Sequence, residues 1–147
     1  MNTKVLNVFF FAASLMALAL TYVFFNAWNP SSFAEVKTGK AITSMHIDAC
    51  YIEKDRIYIQ GWAIIPGAKR LLTSVYAEKN NGAFVKVEKS TQIRKDVTQA
   101  YGFGTEYDMS GFLATKRVIG GDGYSGEIVL NAEDEKGGIY VADYKCK

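Results

Sequence analysis

One histidine, two cysteines and two prolines are all that 147 residues contain of these types. A lone histidine and the absence of any Cys-x-x-Cys spacing leave too few good ligands for a zinc site. No Gly-x-Ser-x-Gly elbow is present to expose a nucleophile. The glycine pairs at 102–104 and 120–123 lack the following helix and lysine that a phosphate cradle needs, so they read as turns. The net charge is only +2, and the lysines and arginines are scattered, which argues against nucleic acid as a partner. Low hydrophobicity is also missing: 49% of residues are hydrophobic and 14% aromatic, as in a folded chain. The length suits one domain of ordinary size. From these absences we expect no metal, no cofactor and no enzymatic activity.

Acidic residues are absent before Glu35, and Lys4 is the one charged side chain in the first 34 residues. From Val5 to Phe25 every residue is apolar except Asn7, Ser14, Thr21 and Tyr22. A helix needs about 20 residues to cross about 30 Å of hydrocarbon, and this run is that long. Tyr22 and Trp28 sit at its far end, where amphipathic rings favour the headgroup layer. Asn29-Pro30 stops the helix and Ser31-Ser32 begins a polar linker. A cleaved signal peptide is the competing reading, with Ala17-Leu18-Ala19 as the cut. That cut would leave Leu20 to Phe25 as an apolar stub, so an uncleaved anchor makes better use of the run. Lys4 favours a cytoplasmic N-terminus, although Lys37 and Lys40 on the other flank dilute the bias. We therefore expect a signal-anchor at 1–28, a linker at 29–40 and a soluble domain at 41–147. The bilayer is the first expected partner, and the domain is expected outside the cytoplasmic (inner) membrane, on the periplasmic or extracellular side.

Cys50 and Cys146 stand near the two ends of the soluble part. A disulfide between them suits an oxidising compartment; two free thiols are the plain alternative. In the second case the pair says nothing about location.

After the linker the pattern changes from continuous apolar to alternating. Ile57, Ile59, Gly61 and Ala63 share one face of a strand, and Tyr58, Gln60, Trp62 and Ile64 share the other. Further strands are expected at 41–50, 71–78, 83–89, 112–118, 124–132 and 139–146. Asn81-Gly82 predicts a type I′ hairpin turn, with both residues at positive φ. The stretch Lys95 to Tyr101 alone has helical character, and it is too short to stand by itself. About seven short strands with turn signals between them predict an all-β, immunoglobulin-like β-sandwich behind one transmembrane helix. If the cysteines are bonded, the first and last strands run parallel, and the first switches sheets to join the last.

Gly61-Trp62-Ala63, Arg94-Lys95-Asp96-Val97 with Tyr101 close behind, and Gly111-Phe112 occur in that order. Together they resemble a bacterial β-sandwich module appended to glycosyltransferases and other glycan-handling proteins. Its motifs read GWA, RPDV followed by an aromatic, and GF; here Lys95 replaces the proline. The resemblance spans residues 57–142 and implies a cell-envelope or glycan context, not a reaction.

Several residues are candidates for a binding surface. Trp62 offers a face for sugar stacking, but a strand tryptophan between glycine and alanine is also expected as core between the sheets. Arg94 and Asp96, two apart, either meet a polar ligand or clamp the long 90–105 connection. Tyr101, Phe103 and Tyr107 cluster in a glycine-rich loop, 100–111, which either binds a partner or covers one end of the core. His46 and Asp48, on one face of the first strand, are expected to make local hydrogen bonds. A type IV pilin also begins with a long apolar helix, but its processing needs a glycine and a glutamate that this segment lacks. The leading expectation is a non-enzymatic accessory protein that binds a glycan or a membrane glycosyltransferase. The alternative is a structural subunit of an envelope complex, joined through a helix whose Asn7, Ser14 and Thr21 fall seven apart on one stripe.

Overall fold

The structure is a computed structural model that describes residues 3–28, 33–102, 104–118 and 123–146. Phe103 and residues 119–122, part of the expected glycine turn, lie outside the described residues. The chain divides into two units, Met1–Pro30 and Ser31–Lys147.

The first unit is a single helix, α1 (Thr3–Trp28), whose 26 residues reach about 39 Å at 1.5 Å per residue. It is long and apolar enough to cross a membrane. Phe9, Phe10, Phe11, Leu15, Met16, Leu18 and Phe24 are all exposed. In water that surface would be costly, at about 25 cal/mol per Å². Two polar side chains bond back to the helix backbone. Thr21 Oγ1 donates to the Ala17 carbonyl at 2.9 Å, and the Asn26 amide donates to the Tyr22 carbonyl at 3.0 Å. Such bonds satisfy polar groups where no water is present.

The second unit is a β-sandwich built from one continuous curled sheet. Its strands are β1 (Lys40–Ala41), β2 (Ser44–Ile52), β3 (Arg56–Ile64), β4 (Leu71–Lys79), β5 (Phe84–Gln92), β6 (Gly111–Arg117), β7 (Tyr124–Asp134) and β8 (Ile139–Lys145). The order across the sheet is β1-β8-β7-β4-β5-β6-β3-β2. Strand β5 joins the two layers: Phe84 to Val87 pair with β4, and Glu88 to Gln92 pair with β6. The curl brings Ile57, Ile59, Phe112 and Ala114 from one layer onto Val75, Ala77, Ile128 and Leu130 from the other, each 2% exposed or less.

The expected first strand is two elements. Lys40 and Ala41 pair in parallel with Tyr140 and Val141 of β8, the chain then crosses, and Ser44 onward pairs antiparallel with β3. This is the sheet switch expected from an immunoglobulin-like sandwich, and it raises the strand count to eight. Cys50 and Cys146 are disulfide-bonded with Cα atoms 5.2 Å apart. The bond ties β2, at one edge of the curled sheet, to the end of β8 beside the other edge.

The hairpin at Asn81-Gly82 differs from expectation. Only glycines among the described residues have positive φ, so Asn81 cannot be the first residue of a type I′ turn. The loop is three residues long instead: Lys79 N–H donates to the Ala83 carbonyl, Gly82 N–H to the Lys79 carbonyl, and Gly82 sits at φ +81°. An asparagine pays a steric penalty in the left-handed region that the longer loop avoids. Asp134 to Gly138 repeats this geometry, with Gly137 at φ +79°.

Residues 33–39 lie along the sandwich. Ala34 N–H donates to the Phe84 carbonyl at 2.9 Å. Asn131, 5% exposed, is satisfied entirely by this segment: its Oδ1 accepts from Lys37 N–H and its amide donates to the Lys37 carbonyl.

Candidate functional site

The connection from β5 to β6 carries most of the candidate residues. It begins with Arg94 and a two-turn helix, α2 (Lys95–Tyr101), on the stretch where helical character was read. Seven residues do not hold a helix in water, so its neighbours must. Arg94 Nε and Nη2 donate to the Asp96 carboxylate at 2.8–3.2 Å, and Arg94 Nη1 donates to Asp48 on β2. The Arg94 side chain is 19% exposed, and its stem lies on Gly111, where a Cβ would come within 2.6 Å of Cγ. Arg94 N–H donates to the Asp108 carbonyl, and Thr98 Oγ1 donates to the Asp108 carboxylate at 2.6 Å. The guanidinium thus fastens the start of the connection to β2, while the Arg94 backbone and Thr98 tie its far end, at Asp108, back to that start.

The hydrogen bonds from Arg94 hold the Asp96 carboxyl below the usual carboxylate range. The same contacts, with Asp96 first and Asp48 next, raise the Arg94 guanidinium. A carboxyl depressed in the folded state stabilises above its unfolded value, about 3.9, and that stabilisation fades as pH falls through the folded value. Arg94→Met should therefore destabilise the sandwich at pH 7, with the gap to wild type narrowing below about pH 4. Urea melts across this range would detect a gap that stays constant, which would remove the clamp.

Trp62 was expected between the sheets or free to stack on sugar, and it does neither. It lies on the face of β3 away from the main core, 9% exposed, in a smaller cluster with Ile64, Val97 and Tyr107. Alternation explains the reversal: Ile59, Gly61 and Ala63 hold the inward face, so Trp62 must point out, and α2 with its loop covers it. Tyr101 stacks on it with ring centroids 5.4 Å apart and remains 57% exposed. Tyr107 is buried, and its hydroxyl accepts a hydrogen bond from Gly67 N–H at 3.3 Å. The 100–111 loop thus covers this second cluster and leaves Tyr101 as its exposed aromatic among the described residues. His46 Nε2 lies 3.9 Å from Asp48 at the rim, and His46 is well exposed.

The glycines of the motifs have structural reasons. A Cβ on Gly61 would stand 2.3 Å from the His46 carbonyl oxygen, where β2 shifts register between Ile47 and Ala49. The bulge presses the β2 backbone onto β3, and only a glycine accepts it.

A cavity of about 420 Å³ opens beside Tyr107, between the end of β3, the start of β4, β5 and the 105–110 loop. Its apolar lining includes Ile65, Leu71, Leu72 and Met109, and its polar lining includes Lys89 and Ser110. Lys89 Nζ donates to Thr73 Oγ1 at 3.0 Å and to Thr91 Oγ1 at 3.4 Å. Partial burial, with Lys86 adding repulsion, lowers the Lys89 ammonium. Sequence reasoning missed this site, although a signal existed: Val85, Val87 and Lys89 share one strand parity, so a lysine continues a core face.

No family model matches the chain, and no curated protein matches it. Among solved structures, one similar chain comes from the archaellum periplasmic stator protein complex FlaF and FlaG from Sulfolobus acidocaldarius. Identity is 11% and the TM-score 0.36, over 78% of this chain and 99% of that one. At that score the likeness bears on neither fold nor function.

Proposed function

We propose that this chain is a non-enzymatic, single-pass membrane protein of the cell envelope and a structural subunit of a membrane complex. The observation that carries the reading is a disulfide-closed sandwich following a 26-residue apolar helix with an exposed face. A disulfide joining residues 96 apart in sequence suits an oxidising compartment, which supports a sandwich outside the cytoplasm. Asn7 and Ser14 share the stripe with Thr21, and Ala13, Ala17 and Thr21 place small residues four apart beside it. Close helix approach and bonds worth about 0.6–2 kcal/mol each then select a partner helix.

The accessory reading, with a glycan or glycosyltransferase as partner, stands second. Its supports are the resemblance over residues 57–142 and the exposed Tyr101 ring beside Trp62. Against it, Arg94, Asp96 and Tyr107 already make internal contacts.

Purification of the full-length chain in mild detergent, with mass spectrometry of what accompanies it, separates the two. Replacing α1 with a polyleucine anchor should abolish stoichiometric recovery of the partner. A glycosyltransferase retained after that replacement would favour the accessory reading. A chain absent from the membrane pellet and starting at Leu20 or later would remove the anchor itself.

A further inference from the structure

The cavity beside Tyr107 combines features that seldom coexist in an unoccupied fold. Ser110 is 9% exposed, and its hydroxyl oxygen has no hydrogen-bond partner. Buried hydroxyls are nearly always bonded, and leaving one unmade costs about 1–3 kcal/mol. Lys89 lines the same cavity, half-buried, and its ammonium meets two threonine hydroxyls and, among the described residues, no carboxylate within ion-pair distance. Lys69 and Arg70 add exposed cations at the rim; Glu106 is the carboxylate that lines it. Glu135, nearby, accepts from the backbone N–H groups of Lys69 and Arg70 rather than from their side chains. The apolar part of the lining is Ile65, Leu71, Leu72 and Met109, with Leu72 and Met109 each 65% exposed. The volume falls in the range of small-molecule sites.

We infer that this cavity binds an amphipathic organic anion, with its phosphate or carboxylate against Lys89 and the rim cations and its apolar body along Leu71, Leu72 and Met109. A charged partner stabilises the Lys89 ammonium where burial alone opposes it, and the apolar wall excludes water from the pair. This inference does not depend on the partner of α1. It follows from the sandwich alone.

The test uses the full-length protein in nanodiscs of neutral phosphatidylcholine, with hexyl phosphate, hexanol and inorganic phosphate as probes. Saturation-transfer NMR and calorimetry should show hexyl phosphate binding at least tenfold more tightly than either other probe. Lys89→Met should weaken hexyl phosphate at least tenfold and leave hexanol unchanged. Arg70→Gln, on the exposed rim, should weaken it about threefold and serves if the Lys89 variant misfolds. Ser110→Ala should leave binding unchanged and the melting temperature equal or higher, since it removes an unpaired hydroxyl with no surface facing the cavity. In nanodiscs with phosphatidylglycerol, displacement of hexyl phosphate identifies a lipid headgroup as the ligand, and its retention identifies a free anion. Equal binding of hexanol and hexyl phosphate, or unchanged affinity in both charge variants, overturns the proposal.

Discussion

Cys146→Ser is expected to destabilise the sandwich by about 2–5 kcal/mol and to lower its melting temperature by on the order of 10 °C. The cysteines are 96 residues apart, so the bond closes nearly the whole soluble unit into one loop. In the chain-entropy account a loop of roughly 100 residues is worth about 4.7 kcal/mol, near the top of the measured range. Geometry gives the same ranking. Strand β2 is bonded to β3 on one side only, and β1, beside β8, has just two residues. Apart from the chain crossing at residues 42–43, the disulfide is the covalent link across the open side of the curl. Domains of this size are stable by only about 5–15 kcal/mol, so the loss is a large fraction. Circular dichroism melts of the full chain, oxidised and reduced, measure it directly. Melting temperatures within 2 °C of each other would show that the curl is held by its core alone.

The strands were legible because half-buried strands alternate, and their bounds moved by few residues. The switch of β1 was legible only through the cysteines: Lys40 and Ala41 carry no local strand signal. Apart from the Cys50–Cys146 pair, long-range partnerships were not legible. Arg94 with Asp96 could be read from a spacing of two, but Asp48 lies 46 residues away on another strand. Trp62 shows a different limit. Alternation assigns residues to two faces, yet the sequence of β3 does not say which of two apolar faces meets the opposite sheet. The cavity is assembled from four separate segments, so its only trace in sequence is Lys89 following Val85 and Val87 at the same parity.

The motifs that suggested a glycan context have a common physical basis. Gly61 admits the β2 bulge, Gly111 admits the stem of Arg94, and Arg94 fastens α2 over Trp62. Each is needed to build this corner of the sandwich, whatever the corner binds. Residues of this kind record how the corner is built and do not by themselves name a ligand.

Phe112→Ala tests the construction most severely. Phe112 is the largest fully buried side chain, 0% exposed, on the central strand β6. It pairs with Thr91 of β5 on one side and with Gly61 of β3 on the other. The space beside Gly61 is filled by the β2 backbone at His46, so position 61 has no side chain that could move into a gap left by the ring. Truncation removes the ring's transfer energy and leaves a cavity that Gly61 cannot help to close, so about 3–5 kcal/mol should be lost. Phe112→Leu, which retains most of the volume, should cost less than about 1.5–2 kcal/mol. Urea denaturation of the oxidised full-length chain should show both midpoints shifted and the slope unchanged. Equal losses in the two variants would mean that the site collapses on whatever remains, and the dependence of this corner on ring volume would be wrong. A ratio of two or more would show that ring volume at Phe112 sets the packing of this part of the core.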